Sequence, residues 1–451
     1  MEHTICAVAT AIGQGGIGIV RMSGKTALSI GREAFRSKYK KEETHRLMEY
    51  GHILSDEGDI IDEVLYCPMH GPDTYTTEDM VEIYTHGGVL AVRKVYERLL
   101  QLGALPAEAG EFTKRAFLNG RIDLSQAEAV QEIVSAKNEE AYKQSHRQLE
   151  GKLAKRIQPL FDQVLNMMAA VEASISFSED TDDVPSLESP LHRALEETDH
   201  LLATAHQGKM MKEGVATLIT GKPNVGKSSL FNALMQENRA LVTDIPGTTR
   251  DTIEEVLQLQ GIALRMIDTA GIRETADIVE RLGVEKAKEE LEKADLVLWV
   301  VDASNPMDEE DEKIKALIGE KPAIAVINKQ DIATEEDIDQ LQKSLTIPSV
   351  IISAKENTGV DSLTKEIQEM FAVAPLQGSD QIFLTNSRHV QALQEAKKAL
   401  LQAKDAIAMG MPLECTEVDL HKAYTALGEI TGQTVQEDIL DRVFSNFCIG
   451  K

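Results

Sequence analysis

Residues 221–228 read Gly-Lys-Pro-Asn-Val-Gly-Lys-Ser, a spacing that could hold the phosphates of a nucleotide. The two glycines would let backbone amides turn inward on a β-phosphate. Lys227 would bridge the β- and γ-phosphates, and the Ser228 hydroxyl would ligate Mg²⁺. An apolar run at 215–220 precedes this phosphate loop and a helical stretch at 229–235 follows it. That strand–loop–helix context is the one that phosphate binding requires.

A second motif, Asn328-Lys329-Gln330-Asp331, could recognise a purine base. The Asp331 carboxylate can accept hydrogen bonds from N1–H and from the 2-amino group of guanine together. Adenine lacks that pair of donors, so the carboxylate would be left unpaired beside it. Residues 353–355, Ser-Ala-Lys, would supply a backbone amide for the guanine carbonyl. The two motifs therefore predict binding of GTP and rejection of ATP.

Two further segments could sense the γ-phosphate. The run Asp268-Thr269-Ala270-Gly271 would place its aspartate on the Mg²⁺ side of the nucleotide and its glycine amide near the γ-phosphate. The run Gly247-Thr248-Thr249-Arg250-Asp251 lies between this segment and the phosphate loop, where a first switch is expected. Thr249 is the predicted switch hydroxyl on Mg²⁺.

Ile272 follows Gly271 at the position where a Ras-type GTPase carries its water-orienting glutamine. Another group must therefore orient the attacking water, and an acidic residue within 273–285 is the candidate. Arg250 and Arg273 could act as an arginine finger, or could simply pair with nearby acids.

The N-terminal run Gly13-Gln14-Gly15-Gly16-Ile17-Gly18 matches the dinucleotide pattern G-x-G-x-x-G. In that pattern the glycines lead into a helix N-terminus, which binds the pyrophosphate. Here they lead into Ile17 to Met22, a run rich in β-branched residues that predicts a strand. We interpret these glycines as a loop and not as a dinucleotide site.

The elements that must position the nucleotide motifs are apolar runs that alternate with helical stretches. Such runs lie at 215–220, 296–301, 323–327 and 349–352, a pattern typical of a parallel, doubly wound sheet. Helical composition flanks this region on both sides. We predict a multidomain protein with an α+β N-terminal domain, an all-α helical domain and an inserted α/β P-loop GTPase domain. The predicted bounds are 1–118 for the first, 119–211 and 377–451 for the two helical halves, and 212–376 for the insertion.

The composition limits the classes of protein that remain. The 451 residues are 42% apolar, and four scattered cysteines form no C-x-x-C pair, which predicts neither disulfides nor a zinc site. No signal pattern or membrane-length apolar run is expected, so the predicted location is cytoplasmic and away from membranes. The formal net charge of −27 repels phosphate backbones at long range. Any grip on RNA should therefore come from a local basic patch or from a partner.

Several motifs together resemble one family nearly end to end. They include residues 15–21 (GGIGIVR), 110–120 (GEFTKRAFLNG), 123–129 (DLSQAEA), the nucleotide motifs and the terminal Phe447-Cys448-Ile449-Gly450-Lys451. The chain resembles the MnmE (TrmE) tRNA-modification GTPases. The resemblance implies a homodimer with a tetrahydrofolate-binding, dimerising N-terminal domain. It also implies a complex with the FAD-dependent partner MnmG (GidA), a heterotetramer or larger, that modifies C5 of the wobble uridine at position 34 of certain tRNAs.

The resemblance also assigns residues. It implies K⁺ in place of an arginine finger, held by Asn224, Thr243, Ile245 and Thr248. It places the water-orienting acid at Glu280. It implies a site for 5-formyl- or methylene-tetrahydrofolate at Arg21, Glu78, Arg121 and Lys451, and a chemical role for Cys448, whose alternative is a small buried residue.

From the motifs and the resemblance together, the predicted catalytic residues are Glu280, Lys227 and Cys448. The predicted GTP-binding residues are Gly221, Asn224, Val225, Gly226, Lys227, Ser228, Ser229, Thr243, Asp244, Ile245, Pro246, Gly247, Thr248, Thr249, Asp268, Thr269, Ala270, Gly271, Asn328, Lys329, Asp331, Ser353, Ala354 and Lys355.

Two other functions remain open from the residues alone: an RNA-binding GTPase of ribosome assembly, and a stand-alone switch that needs an external activator. A dense basic stretch could be a track for tRNA or a solvated helix face; its members are Lys143, His146, Arg147, Lys152, Lys155 and Arg156.

Overall fold

The structure is a computed structural model that describes residues 3–39, 46–136, 138–176, 186–237, 256–259, 262–267, 284–371 and 382–451. The chain forms two compact units. One combines Met1–Ser135, Ser145–Thr198 and Gln391–Lys451, and the other combines Ala136–Gln144 and Asp199–Val390. The predicted domain boundaries at 118, 211 and 376 stay predictions.

The first unit begins with a seven-stranded sheet in the order β3-β4-β5-β6-β2-β1-β7. Its strands are β1 (Ile5–Val8), β2 (Ile17–Ser23), β3 (Phe35–Ser37), β4 (Glu49–Leu54), β5 (Ile60–Met69), β6 (Met80–His86) and β7 (Leu105–Pro106). Neighbouring strands are antiparallel except β1 and β7. The predicted strands at 17–22, 60–67 and 80–85 are confirmed, and the strand after the N-terminal glycines is β2.

Helices α1 (Ala27–Ala34) and α2 (Val89–Gln101) cover one face of this sheet. Because side chains alternate along a strand, β2 sends Val20 and Met22 into that core and Arg21 to the opposite face. Glu82 stands directly opposite Arg21 on β6, and Cys67 stands directly opposite Glu82 on β5. The opposite face of the sheet therefore carries a row of side chains that includes Arg21, Glu82 and Cys67.

The rest of the first unit is helical, as predicted. The helices that lie wholly or partly in it are α3 (Glu111–Leu118), α4 (Leu124–Ser135), α5 (Glu139–Leu149), α6 (Lys152–Ser176), α7 (Glu188–Ala203) and, near the C-terminus, α14 (Ser387–Ala408), α15 (Leu413–Thr431) and α16 (Glu437–Ser445). Helices α6 and α15 pack closely: the rings of Phe161 and Tyr424 lie 4.5 Å apart between centroids. A Cβ at Gly428 would collide with the Thr434 side chain and would also press on Phe161 across this crossing.

The second unit is built on a six-stranded sheet in the order β13-β12-β11-β8-β10-β9. Its strands are β8 (Val215–Thr220), β9 (Val256–Leu259), β10 (Ile262–Met266), β11 (Leu296–Asp302), β12 (Ala323–Asn328) and β13 (Ser349–Ile351). The described helices that lie wholly in this unit are α8 (Ala205–Glu213), α9 (Lys227–Glu237), α10 (Val284–Lys293), α11 (Glu309–Ile318), α12 (Glu335–Ser344) and α13 (Val360–Phe371).

Apolar clusters cover both faces of this sheet, because Leu298 and Val300 of β11 enter one cluster and Val297 and Trp299 enter the other. The predicted parallel, doubly covered sheet is confirmed for five strands. The edge strand β9 is the exception: it pairs antiparallel with β10, and the parallel pattern did not predict it. In such sheets, ligands bind beyond the carboxyl ends of the parallel strands.

Among the described residues, no helix has the length and the apolar content that crossing a bilayer would demand.

Candidate functional site: a phosphate loop, a base loop and an N-terminal cluster

The phosphate loop leaves β8 and enters α9 at Lys227. Gly221 and Gly226 have φ angles of +146° and +99°, which side chains on an L-residue rarely allow. A Cβ at Gly221 would collide with the Val300 carbonyl, and one at Gly226 would collide with the Asn328 amide. Backbone geometry therefore requires the two glycines of the motif. A loop whose amides turn inward needs such positions.

Lys227 lies half-buried at the centre of this loop. Its Nζ donates to the carbonyl oxygens of Gly221 at 2.8 Å and of Lys222 at 2.7 Å. Burial lowers the pKa of this ammonium group, and no carboxylate among the described residues pairs with it. Two of its three N–H groups are thus held by the loop, and the third can donate to an anion. A desolvated cation without an acidic partner is the group that a phosphate would stabilise.

Asn328 joins three loops. Its Nδ2 donates to the Val225 carbonyl at 2.8 Å, and its Oδ1 accepts from the Ala354 amide at 3.0 Å. The side chain is buried, so both bonds are shielded from water. The structure thereby brings together the predicted phosphate loop, the predicted base motif and the predicted Ser-Ala-Lys segment.

Asp331 lies at the exposed end of the base loop. Its Oδ1 accepts from the Ser353 hydroxyl at 2.7 Å, and this hydrogen bond holds the pKa of Asp331 below its usual value. Lys329 has a φ of +67° and donates to Asp302 Oδ2 at 2.7 Å. Asp331 is therefore an ionised acceptor whose orientation is fixed by a buried serine.

The remaining nucleotide predictions divide into two groups. Asn224, with a φ of +63°, lies exposed on the phosphate loop, and Ser228 and Ser229 lie in the first turn of α9. Lys355 lies exposed after the buried Ser353 and Ala354. The predictions at Thr243, Asp244, Ile245, Pro246, Gly247, Thr248, Thr249, Asp268, Thr269, Ala270, Gly271 and Glu280 lie outside the described residues.

In the first unit, Arg21 meets the C-terminal tail. Its Nε and Nη2 donate to Glu82 Oε1 at 3.0 and 2.7 Å, and its Nη1 donates to the Gly450 carbonyl at 3.3 Å. Burial lowers the pKa of Lys451, and the nearby Arg21 charge lowers it further, so the two cations share one environment. Arg21 also lies over the ring of the buried Phe112. The structure thus brings together two of the four predicted folate residues.

Glu82, which sequence reasoning missed, organises this cluster. Besides Arg21, it accepts from the Tyr84 hydroxyl at 2.7 Å through Oε2. Burial and the Glu82 carboxylate raise the pKa of Tyr84 to about 12, so this hydroxyl stays protonated and donates. The only sequence signal was the alternation of β6, which places residues 82 and 84 on one face.

Glu78 and Arg121 have separate surroundings. Glu78 Oε2 accepts from the Ser23 hydroxyl at 2.7 Å and from Arg115 Nη1 at 2.9 Å. Arg115 is buried, with 2% of its side chain exposed, and its Nη2 also donates to Glu111. The Arg121 guanidinium lies 4.6 Å from the centre of the Tyr75 ring. Arg115 lies inside the family-like run 110–120, but its pairing with Glu78 was not predicted.

The C-terminal tail docks on β1. Ile449 forms an isolated bridge with Ala109, and a Cβ at Gly450 would press on the Val8 carbonyl. Cys448 itself is exposed, so the alternative interpretation of this cysteine as a small buried residue is wrong. Phe447 and Gly450 are buried on either side of it, while the Cys448 thiol lies at the surface.

At least three of the six residues in the basic stretch pair with acids. Lys143 pairs with Glu139 and Glu140, Lys152 with Glu150, and Arg156 with Glu197. These pairings favour the solvated helix face over an open cationic track.

Comparison with known proteins covers almost the whole chain. The model described as the MnmE helical domain matches residues 124–448, and the model described as the GTP-binding protein TrmE N-terminus matches residues 4–121. Curated relatives named tRNA modification GTPase MnmE include those of Finegoldia magna, at 48% identity over 455 residues, and Clostridioides difficile, at 46% over 458 residues. That of Desulforamulus reducens is 46% identical over 463 residues. Each alignment covers 100% of this chain and 100% of the relative.

Among solved structures, the G domain of the Thermotoga maritima FeoB iron transporter is 32% identical and covers 35% of this chain and 98% of its own. Its TM-score is 0.26, so it adds nothing to the assignment. The two family models and the full-length relatives are sufficient: the chain belongs to the MnmE (TrmE) family of tRNA modification GTPases.

Proposed function

We propose that this chain is a GTP hydrolase whose turnover drives modification of C5 of the wobble uridine in certain tRNAs. The observation that carries the nucleotide site is Lys227, a half-buried cation held by two loop carbonyls and paired with no described carboxylate. Catalysis of phosphoryl transfer depends mainly on positioning the phosphates and on stabilising their negative charge, with little covalent chemistry by the protein. The loop geometry around Lys227 is suited to both.

Each described residue has a part in that positioning. Lys227 would donate to the β- and γ-phosphates, and the amides that follow Gly221 would surround the β-phosphate. Asp331 would accept hydrogen bonds from the guanine edge. The Ala354 amide donates to Asn328 Oδ1 and so holds the Ser-Ala-Lys segment against the base loop. Ser228, in the first turn of α9, would hold Mg²⁺, which supplies charge neutralisation when bound. Glu280, which lies outside the described residues, would orient the attacking water.

The acidic balance of the chain supports a division of labour. The formal net charge is −27, and at least three of the six residues in the basic stretch pair with acids, so this chain offers tRNA little long-range attraction. We infer that the FAD-dependent MnmG partner supplies much of the grip on tRNA, within a complex built on a homodimer of this chain.

Deleting the gene for this chain tests the function. We expect the C5-modified wobble nucleosides to disappear from digested tRNA, as measured by mass spectrometry, and to return when the wild-type gene is restored. If the nucleosides are unchanged and the protein instead co-sediments with ribosomal subunits, the ribosome-assembly alternative is favoured.

We also propose that K⁺ supplies the charge that an arginine finger gives other GTPases, held by Asn224, Thr243, Ile245 and Thr248. The exposed Asn224 on the phosphate loop supports this, because its side-chain oxygen is free of described hydrogen bonds and lies beside the phosphate site. We expect turnover to be about 100-fold faster in KCl than in NaCl at equal ionic strength, since a fixed charge near the transferred phosphoryl contributes that much. Equal rates in the two salts would contradict the K⁺ proposal.

The N-terminal cluster is proposed as the tetrahydrofolate site. A folate glutamate tail needs cations, and Arg21 and Lys451 supply two in one environment. Arg21→Ala should weaken binding of 5-formyltetrahydrofolate by about 30-fold or more, as measured by calorimetry, because one charged partner is lost. The GTPase activity should be unchanged.

A matched control lies on helix α1, which covers the same sheet. Arg32 pairs with Glu49 at 2.8 Å and lies over the Tyr66 ring, much as Arg21 pairs with Glu82 over Phe112. Arg32→Ala should leave folate affinity within about twofold of wild type. Equal losses in the two variants would remove the assignment of Arg21.

A further inference from the structure

Residues 302–311 carry none of the nucleotide motifs, yet they contact the base loop. Asp302, the last residue of β11, accepts from Lys329 Nζ at 2.7 Å. The same carboxylate accepts from the Ser304 amide and hydroxyl and from the Asn305 side chain. Asp302 is buried, so these bonds hold Lys329 in a shielded position.

The other end of this segment contacts the phosphate loop. Lys222, the second residue of that loop, places its Nζ 2.7 Å from Asp308 Oδ2 and 2.7 Å from Asp311 Oδ2. Only 16% of the Lys222 side chain and 1% of the Asp311 side chain are exposed. The Lys222–Asp311 pair is therefore better shielded from solvent than an ordinary surface ion pair, whereas 55% of the Asp308 side chain is exposed.

Local structure makes the segment stiff at that end. Asp308 is the N-cap of α11 and accepts from the backbone amides of Glu310 and Asp311, while Asp311 Oδ2 accepts from the Asp308 amide. This reciprocal capping box fixes both carboxylates relative to the helix. Lys222 is thus attached to the start of a helix.

The attachment reaches the catalytic lysine. The Lys222 carbonyl is one of the two acceptors of Lys227 Nζ. If the Lys222 side chain were released, the peptide that positions Lys227 would lose its attachment to α11. At the other end of the segment, Asp302 holds the side chain of Lys329, the residue that follows Asn328 in the base loop.

We propose that residues 302–311 form a strut that sets the spacing between the phosphate loop and the base loop, with Lys222 and Asp302 as positioning residues at its two ends. GTP must contact both loops at once, so the spacing decides whether phosphates and base are bound together. The role of this strut rests on the nucleotide site proposed above.

Affinity for GDP, measured by fluorescence titration, tests the strut through a double-mutant cycle. Lys222→Met and Asp302→Asn should each weaken GDP binding by about tenfold, because a small displacement of a binding group has a large cost. The double variant should also be about tenfold weaker, since a strut released at one end no longer holds the other. Independent local effects would instead multiply to about 100-fold, and that result would overturn the proposal.

The controls separate charge from fold. Lys222→Arg should retain GDP affinity within about threefold, because it keeps the charge. Replacing Asp308 and Asp311 together with asparagine keeps the capping acceptors and removes both charges that hold Lys222, so this variant should weaken GDP binding as Lys222→Met does. Asp337 is the N3 residue of the capping box of α12, the position that Asp311 holds in α11, and among the described residues it contacts no nucleotide motif. Asp337→Asn should therefore leave GDP affinity unchanged.

Thermal unfolding of every variant is measured beside these affinities. If Lys222→Met fails to fold, the variant with Asp308→Asn and Asp311→Asn takes its place in the cycle with Asp302→Asn. A loss of GDP affinity in Asp337→Asn equal to that in this variant would overturn the strut. If Lys227→Ala binds GDP as wild type does, the nucleotide site itself is wrong, which is a different failure.

Discussion

Replacing Lys227 with alanine is expected to abolish measurable GTP hydrolysis and to weaken GTP binding by about 100-fold or more. The Lys227 ammonium is a half-buried charge in the phosphate loop, where two carbonyls hold it and burial lowers its pKa. A phosphate bound there would lose its strongest donor. Single-turnover hydrolysis and fluorescence titration with a labelled GTP analogue measure the two effects.

Lys321 provides the matched control for Lys227. Its Nζ also donates to two backbone carbonyls, those of Glu292 at 2.9 Å and Ala294 at 3.1 Å, within the same unit. Lys321→Ala removes the same kind of hydrogen bonds away from the loop, so hydrolysis should continue at the wild-type rate. Hydrolysis that survives Lys227→Ala would exclude residues 221–228 as the catalytic phosphate loop.

Replacing Asp331 with asparagine is expected to exchange guanine for xanthine as the preferred base. Xanthine carries a carbonyl in place of the 2-amino group of guanine, and an asparagine amide can donate to that carbonyl. The wild-type carboxylate is held ionised and oriented by the Ser353 hydroxyl, so it can only accept. Affinity for GTP should fall by about 1,000-fold, because a site built to accept from a substrate N–H rejects a mismatch strongly.

Binding and hydrolysis of xanthosine triphosphate by Asp331→Asn measure the gain, and the wild-type protein should bind this nucleotide poorly. Asp337→Asn is again the control, because Asp337 accepts from the Thr334 hydroxyl at 2.6 Å as Asp331 accepts from Ser353. A variant that still prefers GTP would show that another group reads the base.

Local sequence predicted much of the nucleotide unit, because its signals act over a few residues. The apolar runs are long enough to be buried on both faces, and β8, β11, β12 and β13 occur where the runs lie. The phosphate loop needs glycines because two of its positions have positive φ angles. Strand β9 was not predicted, since a four-residue edge strand has little pattern of its own.

The N-terminal cluster was harder to predict, because its partners are distant in sequence. Arg21 and Gly450 are 429 positions apart, and Arg115 and Glu78 are 37 apart. The family resemblance pointed to Arg21, Glu78, Arg121 and Lys451 as site residues, but it did not point to Glu82 or Arg115. Nothing in the local sequence distinguishes a buried, doubly paired arginine from a solvated one.

The sequence alone determined the kind of chemistry, since the residue types and spacing at 221–228 and 328–331 suffice to specify a phosphate loop and a guanine reader. Only the tertiary structure decided which charges meet: Lys222 with Asp308 and Asp311, Lys329 with Asp302, and Arg21 with Glu82 and the tail. The physical reason is that a motif depends on the backbone geometry of a few neighbouring residues. An ion pair instead depends on which distant segments the packed sheets and helices bring within a few ångströms.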